Sequence, residues 1–365
     1  MMTRIRKSCL LTKHLLGNLL AGMRGYKLTY IVEADAWSIQ EDGKALTKAL
    51  NTQKLIHARI STTTIGLRNQ IIHFGSVTTF IKHKIITKPH PSNTLILTWF
   101  HVVPDDERLV LIKEAQKKLA HIHTSCESTK KILIQAGVDE NIIIVISLGV
   151  DTHLFTQTSN KKKIDVRHQL NIPENRLVIG SFQKDGVGWK EGLEPKLIKG
   201  PDLFVETIKQ LKDLNPFILL TGPSRGYVKQ KLDEYGIEYK HVYLKTTKDL
   251  PKMYHALDVY LITSRTEGGP KSLLEAWASG VLVVSTPVGM VQDIATDGET
   301  VCLSRSEDVE HLANLTRQLL TDKKLQKHLT EQTQKIIPEF DWKQISQQYA
   351  EHLYETTSHR ASIRK

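Results

Sequence analysis

Two glutamates in the second half of the chain have a residue type and spacing that could support chemistry. Glu267 and Glu275 lie eight positions apart in "EGGPKSLLEA", around a Gly-Gly-Pro corner. Such a pair could be the acid and base of a hydrolase. It could also bind hydroxyl groups without proton transfer, because an ionised carboxylate only accepts hydrogen bonds. A third interpretation is a solvated turn and a helix glutamate paired with Lys271.

The elements around the two glutamates favour ligand binding. The run "DVYLITS" (258–264) is predicted to be a strand, so Glu267 follows the carboxyl end of a strand. Ligands bind at that edge in open parallel sheets. Pro270 fits the first turn of a helix and Gly280 its C-terminal cap, which predicts a helix over 270–279.

The glycines between the acids add a second kind of contact. Gly268 and Gly269 allow the backbone to approach a ligand closely. The free N–H groups at the start of the helix attract phosphate and other anions. One ligand could therefore meet both carboxylates and a set of backbone donors, and a sugar attached to a nucleoside diphosphate is such a ligand.

Short apolar runs alternate with amphipathic segments along most of the chain. The predicted strands are rich in Val, Ile and Leu and hardly alternate in polarity, which is typical of strands buried on both faces of a parallel sheet. The polar stretch 156–175 separates two such series and is predicted to be a linker. The pattern predicts an α/β fold of two doubly wound, Rossmann-like domains facing across a cleft. Strands are predicted at 27–34, 53–61, 70–77, 94–102, 142–150, 176–182, 216–222, 241–245, 258–264 and 281–286, and helices include 106–122 and 202–214.

Composition excludes several classes of protein. A chain of 365 residues with 40% hydrophobic and 24% charged residues is typical of a soluble globular protein of roughly two domains. The three cysteines are far apart, which argues against disulfides and zinc and for a reducing, cytoplasmic compartment. No apolar run approaches the roughly 20 residues of a membrane span. Although the net charge is +11, no interleaved aromatic and basic motif indicates a nucleic-acid partner.

The positive charge is concentrated at the N-terminus. Residues 1–32 contain six Lys and Arg residues and no acid. Leu11, Leu15 and Leu19 recur at helical spacing, which predicts a basic amphipathic helix. This helix either packs on its domain and leaves its lysines in water, or lies through residues 1–24 on an anionic membrane surface.

The segment "SRTEGGPKSLLEAWASGVLVVSTPVG" (264–289) resembles the donor site of retaining glycosyltransferases of family four, which have the two-domain GT-B fold. That family carries Glu-x7-Glu after a strand ending in Ser, then a small-residue helix end, an apolar strand and a Val-Gly turn. The resemblance implies an N-terminal acceptor-side domain (1–157), a nucleotide-sugar-binding domain (158–339) and a C-terminal helix that crosses back to the first domain (340–365). Four further segments resemble other parts of the family pattern, namely 147–155, 199–211, 219–223 and 340–354.

The resemblance implies roles for individual residues. Glu275 would hold the ribose hydroxyls, and Glu267 the hydroxyls of the transferred sugar. Lys199 would neutralise the diphosphate, which gains negative charge in the transition state. His101 matches a position near the reacting centre, although a histidine on its own is more often structural. The other implied donor-binding residues are Gly268, Gly269, Pro270, Lys271, Lys184, Ser181, Gly222, Tyr243 and Leu244.

The chain departs from the family pattern at three places. The family usually has an arginine after the glycine that ends the first strand of the second domain, whereas Gly180 is followed by Ser181. Lys184 is a candidate replacement, and the alternative is that it belongs to an exposed loop. The segment 33–46 lacks the usual Gly-Gly turn, and Gly289-Met290 replaces a second Gly-Gly.

The resemblance implies a retaining hexosyltransferase that moves a sugar from a nucleoside diphosphate to an acceptor hydroxyl, in polysaccharide or glycolipid synthesis. It implies no cofactor, and no acidic metal-binding cluster is visible in the sequence. The implied location is cytoplasmic, with peripheral attachment to the inner face of the membrane as an open alternative. Three other functions remain open: a glycosidase, a sugar-nucleotide epimerase of the same fold and a non-catalytic, membrane-associated protein that binds nucleotide sugars.

Overall fold

The computed structural model describes residues 4–34, 38–82, 84–244 and 246–355. The ends of the predicted N-terminal and C-terminal helical segments, at 1–3 and 356–365, lie outside the described residues. The chain forms two compact units, one of residues 1–149 with 341–365 and the other of residues 150–340. The boundary between the first and second units lies at residues 149–150, whereas the predicted domain boundary is at 157–158. The chain returns to the first unit at residues 340–341, one residue from the predicted position at 339–340. No helix in the described ranges combines the length and hydropathy needed to cross a bilayer.

The first unit is built on a parallel six-stranded sheet with the strand order β2-β1-β3-β6-β7-β8. Its central strands are buried on both faces, as the apolar sequence runs predict. Its strands are β1 Leu28–Ile31, β2 Ala58–Ser61, β3 Ile71–Phe74, β6 Thr94–Thr98, β7 Leu119–Thr124 and β8 Ile143–Val145, and β4 Ile81–Lys82 pairs with β5 Ile85–Ile86 in a separate antiparallel hairpin. Its helices before the second unit are α1 Arg4–Leu19, α2 Ser38–Thr52, α3 Val77–Phe80, α4 Arg108–Ala115 and α5 Glu127–Gln135.

The predicted helix at 106–122 is wrong in its second half. Helix α4 ends at Ala115, and β7 begins at Leu119 and pairs with β6 and β8. Leu119 and Ile122 continue the helical apolar spacing, so periodicity alone extends the helix. In the fold both side chains are buried in the first unit's core. Burial in the tertiary structure therefore determines the strand conformation of β7, against the helical spacing of its apolar residues.

Helix α1 packs on the first unit through its polar side. The His14 ring accepts a hydrogen bond from the Thr62 N–H at 2.9 Å. Asn18 donates to the carbonyl oxygens of Thr63 and Ile65 at 3.0 and 2.9 Å. The helix thus packs on its own unit and leaves Lys13 in water, as the first of the two alternatives predicts. The leucines of the predicted apolar side that are exposed are Leu11, Leu16, Leu19 and Leu20.

The second unit repeats the architecture, with a parallel sheet of order β11-β10-β9-β12-β13-β14. Its core consists of apolar side chains from the strands and from the helices on both faces. The strands are β9 Val178–Phe182, β10 Phe217–Thr221, β11 Tyr239–Val242, β12 Val259–Ile262, β13 Leu282–Ser285 and β14 Cys302–Leu303. The helices are α6 Asn160–Gln169, α7 Pro201–Gln210, α8 Gly226–Tyr235, α9 Leu250–His255, α10 Lys271–Ala278, α11 Val291–Ile294, α12 Val309–Thr321 and α13 Lys323–Ile336.

The predicted linker at 156–175 contains helix α6. The Ser159 hydroxyl caps its start by accepting the Lys162 N–H. Arg167 is buried and donates to the Ala256 carbonyl oxygen at 2.9 Å and to Asp258 at 2.7 Å. This stretch is polar because charged groups hold its helix to the unit. A search for apolar spacing does not detect such a helix.

The C-terminal segment belongs to the first unit. Helix α14, Trp342–Gln348, continues into a π-helical turn over Tyr349–Glu355. Gln53, which directly follows α2, donates to the Ser346 hydroxyl at 2.7 Å. Trp342 packs directly against Gly149, where a Cβ would lie 2.6 Å from the indole ring.

A buried polar network joins this segment to the first sheet. His73 shares hydrogen bonds of 2.7 Å with the Tyr354 hydroxyl and with Thr98, and Thr98 shares one of 2.9 Å with His123. Burial lowers the pKa of His73 well below its ordinary value and the pKa of His123 to about 4. Both rings are therefore neutral in the native protein at neutral pH.

The network makes the first unit sensitive to acid. An unfolded histidine binds a proton near pH 6.5 while the folded His123 does not, so stability is complete above that pH and falls toward pH 4. We expect His123 alone to reduce the free energy of unfolding by about 2 kcal/mol between pH 7 and pH 5. Urea unfolding at both pH values measures this difference. His123→Gln should shrink it and His153→Gln, at an exposed position, should not; an unchanged difference in His123→Gln would contradict the assignment.

Candidate active site

The predicted site residues of the second unit lie at one edge of its sheet. The strand pairs of this sheet are parallel, so the carboxyl ends of the strands meet there. Ser181 lies near the end of β9, and the loops that follow the neighbouring strands carry Gly222, Tyr243 and Glu267. The fold therefore collects at this edge residues that are far apart in sequence.

Lys199 and Glu267 form an ion pair at this edge. The Lys199 ammonium contacts Glu267 Oε1, and the Ser264 hydroxyl donates to the same oxygen at 3.1 Å. The Lys199 and Glu267 side chains are 16% and 7% exposed. Gly200 allows this approach, because its φ is +60° and a Cβ there would lie 1.8 Å from the Thr263 carbonyl oxygen. The Lys-Gly pair thus holds Lys199 against the strand end that leads to Glu267.

Glu275 lies in α10 and accepts a hydrogen bond from the Tyr254 hydroxyl at 2.9 Å. Burial raises the pKa of Tyr254 well above its ordinary value, and the Glu275 carboxylate adds to the increase. The Tyr254 ring packs against Phe182 and Tyr260 at centroid distances of 4.9 and 5.5 Å. This aromatic cluster fixes the position of the Glu275 carboxylate.

The glycine at 289 shapes the loop between the two glutamates. The Met290 N–H donates to the Gly268 carbonyl oxygen at 2.9 Å. A Cβ at Gly289 would lie 2.4 Å from the carbonyl oxygens of Glu267 and Gly268. Only the first residue of Gly289-Met290 must therefore be glycine, and the Met290 side chain is fully buried in its unit.

Pro270 and Lys271 mark the start of α10. Pro270 occupies the position before the helix instead of its first turn, and its carbonyl oxygen accepts the Leu273 N–H at 2.9 Å. Gly269 is half-buried beside it. The helix is Lys271–Ala278 and is followed by Gly280 in the left-handed conformation (φ +71°), close to the predicted bounds.

Arg225 is a residue that the sequence interpretation missed. Its guanidinium donates to the Ser181 carbonyl oxygen at 2.6 Å and to the Ser181 hydroxyl at 3.1 Å. It also forms an ion pair of 2.9 Å with Asp185, and both side chains are almost completely buried. A guanidinium thus lies beside the position after Gly180, although it comes from another loop. The sequence signal that could have indicated Arg225 is its position in the turn directly after β10, a strand that ends at the edge of the site.

Lys184 lies on the same loop as Asp185. Its ammonium is 4.7 Å from the centroid of the Trp189 ring and donates to the Gly186 carbonyl oxygen at 3.1 Å. Burial lowers the pKa of Lys184, and the charge of Asp185 opposes this shift. Lys184 is therefore held on the loop instead of extending freely into water.

Tyr243 and Leu244 lie beyond β11, which ends at Val242 and not at residue 245. The Tyr243 side chain is 68% exposed. On the neighbouring strand end, the Gly222 carbonyl oxygen lies 2.7 Å from His241 Nε2 in a hydrogen bond. An exposed aromatic ring at this edge is available to a ligand.

His101 lies in the first unit, whereas the other predicted site residues lie in the second. It is exposed and follows the end of β6. Its carbonyl oxygen accepts a hydrogen bond of 3.0 Å from the Trp99 indole. No cluster of three or more His, Cys, Asp or Glu side chains suited to a metal is found in the described ranges. The expectation that catalysis needs no metal stays a prediction.

Residues 193–336 match the family model of glycosyl transferases group 1. This range contains Lys199, Glu267 and Glu275 and lies within the second unit. This region of the second unit is therefore similar to group 1 glycosyl transferases, and the predicted resemblance is confirmed for it.

Two curated relatives illustrate the similarity. A D-inositol 3-phosphate glycosyltransferase of Corynebacterium aurimucosum is 25% identical over 246 residues, which cover 63% of this chain and 55% of the relative. An N,N'-diacetylbacillosaminyl-diphospho-undecaprenol alpha-1,3-N-acetylgalactosaminyltransferase of Campylobacter jejuni is 28% identical over 229 residues, which cover 61% of this chain and 57% of the relative. The chain thus spans little more than half the length of these relatives.

Solved structures share the fold over nearly the whole chain. The structure of Anabaena HepE in complex with UDP-glucose superposes with a TM-score of 0.72 at 18% identity and covers 91% of this chain and 99% of that one. Sucrose-phosphate synthase from Thermosynechococcus elongatus gives a TM-score of 0.67 at 18% identity and covers 92% and 100%. The predicted GT-B fold is confirmed.

Proposed function

We propose that the protein is a retaining glycosyltransferase that moves a hexose-type sugar from a nucleoside diphosphate donor to an acceptor hydroxyl. The Lys199–Glu267 ion pair, at the carboxyl edge of the second sheet, carries this proposal. A cation and a carboxylate side by side suit a ligand that has both phosphate and hydroxyl groups. The same edge carries Glu275 within the matched glycosyltransferase region.

Each carboxylate has a distinct role in this proposal. Glu267 accepts hydrogen bonds from hydroxyls of the transferred sugar, and its contact with Lys199 holds the carboxylate in position. Glu275, oriented by Tyr254, accepts hydrogen bonds from the donor ribose. The backbone around Gly268 and Gly269 approaches the sugar or the diphosphate.

The proposed chemistry places the proton transfer on the donor. The acceptor hydroxyl attacks the anomeric carbon from the face of the leaving diphosphate, the carbon–oxygen bond to that phosphate breaks, and a phosphate oxygen takes the acceptor proton. The protein then supplies positioning and positive charge, with Lys199 beside the leaving group. No protein nucleophile or metal ion takes part.

The proposed setting is the synthesis of a cell-surface polysaccharide or glycolipid in the cytoplasm. Two relatives support this acceptor class by name, since one acts on a diphospho-undecaprenol sugar and a Rhizobium meliloti relative is a lipopolysaccharide core mannosyltransferase. The HepE complex with UDP-glucose makes uridine diphosphate sugars the first donors to test.

A donor screen followed by product analysis tests the proposal. We expect one nucleoside diphosphate and its sugar to raise the thermal unfolding midpoint, because a ligand that binds only the native state stabilises it. Incubation with that donor and a glycan acceptor should give a product with the anomeric configuration retained. Conversion of the donor sugar without an acceptor would indicate an epimerase, hydrolysis of neutral glycosides would indicate a glycosidase, and binding without turnover would indicate a binding protein.

The proposal includes attachment of α1 to an anionic membrane surface. Because the polar side of α1 packs on the first unit, Leu16, Leu19 and Met23 are 60%, 67% and 80% exposed. Lys13 and Arg24 are exposed on the same segment, which has no acidic residue. Apolar side chains next to cations suit the boundary between acyl chains and anionic headgroups.

Introduction of negative charge at the exposed leucines tests this attachment. The double variant Leu16→Glu, Leu19→Glu should bind vesicles that contain phosphatidylglycerol at least about tenfold more weakly, since both apolar insertion and net charge are reduced. A sedimentation assay measures the binding. Val110→Glu, at an exposed position of α4, controls for added charge. Equal binding by the double variant and the wild type would refute the attachment.

A further inference from the structure

Backbone hydrogen bonds within the segment 183–200 bring three of its lysines close together. The Lys196 N–H donates to the Asp185 carbonyl oxygen at 2.7 Å, which places Lys196 opposite Asp185, the residue that follows Lys184. The Lys199 N–H donates to the Lys196 carbonyl oxygen at 2.8 Å within a short 3₁₀ turn. Gln183 donates to the Lys199 carbonyl oxygen at 3.2 Å and closes the arrangement. These contacts group Lys184, Lys196 and Lys199 at the edge of the site. Their spacing in the sequence does not form a motif that a search would detect.

The three cations differ in how their charge is compensated. Lys199 contacts the carboxylate of Glu267, and Lys184 lies over the Trp189 ring. The Lys196 ammonium makes no hydrogen bond or ion pair with any residue that the structure describes, although Lys196 is half-buried. Burial is the largest cause that lowers the pKa of Lys196, and the positive charges of Lys199 and Lys184 lower it further. The negative charge of Glu267 opposes this shift. Two carboxylates lie near the three ammonium groups, and one of them, Asp185, is paired with Arg225, so this corner of the site is deficient in negative charge.

The segment that carries the lysines is held in place. Asp185 is paired with Arg225 in a buried contact. The Ser224 hydroxyl donates to the Gly188 and Lys190 carbonyl oxygens at 3.2 and 3.0 Å. The N–H groups of Gly226 and Tyr227 donate to the carbonyl oxygens of Glu191 and Gly192, at 2.7 and 2.9 Å. The lysine positions are therefore preorganised by the turn between β10 and α8.

We propose that Lys196 is a further donor-binding residue, whose ammonium binds a phosphate oxygen of the nucleoside diphosphate together with Lys184 and Lys199. This inference rests on the proposed function. In the free protein Lys199 is engaged by Glu267, so the additional charge that a diphosphate requires comes from the other two lysines. Because Arg225 is buried and committed to Asp185 and Ser181, it does not supply that charge.

Lys190 lies on the same loop but outside the group of three lysines, and it serves as a comparison for Lys196. It is exposed, and neither its ammonium nor its neighbours belong to the grouped cations. Lys196 differs in being half-buried next to two like charges, a position that is unfavourable for a cation without an anion. Lys190→Ala is therefore a matched control for removal of one positive charge from the same segment.

Ligand affinity by calorimetry, with UDP, GDP, ADP, CDP and dTDP and with the matching monophosphates, tests the inference without turnover. For the nucleoside diphosphate that binds the wild type, Lys196→Ala should weaken binding at least about tenfold, as expected for loss of a charged hydrogen bond. The same variant should change monophosphate affinity less, and Lys196→Arg should restore most of the affinity. Lys196→Gln and circular dichroism check that a loss is not due to misfolding.

The outcomes separate the two proposals. Diphosphate affinity in Lys196→Ala equal to that of the wild type and Lys190→Ala would overturn the role of Lys196 and leave the proposed function standing. An equal loss for monophosphate and diphosphate would also overturn it, because the residue would then act on the fold or the nucleoside. Failure of the wild type to bind any of the diphosphates would overturn both proposals.

Discussion

Replacement of Glu267 by glutamine is expected to reduce sugar transfer by at least about 10²-fold while the fold stays intact. The amide keeps the shape of the side chain, but it presents only one acceptor oxygen and no negative charge to the sugar hydroxyls and to Lys199. A loss of this size corresponds to about 2.7 kcal/mol of transition-state stabilisation. Initial rates at saturating donor and acceptor, with circular dichroism of the purified variant, measure the effect.

Lys199→Ala is the companion variant, because it removes the cation beside the leaving diphosphate. It should reduce the rate to a similar extent, and the double variant should lose less than the product of the two effects because the residues are in contact. Glu194→Gln removes a carboxylate from an exposed position of the neighbouring loop and should leave the rate unchanged. Full activity in both Glu267→Gln and Lys199→Ala would exclude the assigned roles.

The two parallel sheets could be predicted from the sequence because their strands are buried on both faces. Runs such as 94–102 and 258–264 contain β6 and β12 with errors confined to the ends. Segment β7 is not predictable in the same way, since Leu119 and Ile122 have the i, i+3 spacing of a helix and a strand buried on both faces shows no alternation of its own. Only pairing with β6 and β8 distinguishes the two conformations.

The linear motif of the candidate site was predictable, and its long-range partners were not. Glu267, Glu275 and the glycines between them form one continuous stretch of chain, so their spacing is visible in the sequence. The buried contact of Arg225 with Asp185 joins two loops that follow different strands. Such a contact leaves no periodic signal, and a search for an arginine after Gly180 could not find it.

The N-terminal helix shows a different limit of sequence reasoning. The spacing of its leucines predicts an amphipathic helix but not which side packs on the protein. His14 and Asn18 find hydrogen-bond partners in the segment 62–65, and this decides the orientation. Specific polar contacts thus outweigh the apolar side, which is left exposed.

Replacement of Arg225 by methionine is expected to lower the free energy of unfolding by about 3–5 kcal/mol, the usual cost of removing one partner from a buried ion pair. Methionine fills much of the same volume but leaves the Asp185 carboxylate, which is 1% exposed, without its cation. It also removes the donors to the Ser181 and Thr221 carbonyl oxygens. The midpoint and slope of urea unfolding measure the loss.

A second variant separates the charge from the packing. Asp185→Asn combined with Arg225→Met should be more stable than Arg225→Met alone, because the uncompensated buried charge is gone. Arg317→Met breaks an exposed contact with Asp213 and should cost only a small fraction of the loss at Arg225. If Arg225→Met were as stable as Arg317→Met, the buried pair would not stabilise the second unit. If Arg225→Met lost stability but kept the diphosphate affinity of the wild type, the pair would hold the fold without positioning the lysine segment, since preorganisation of the lysines predicts that both decline together.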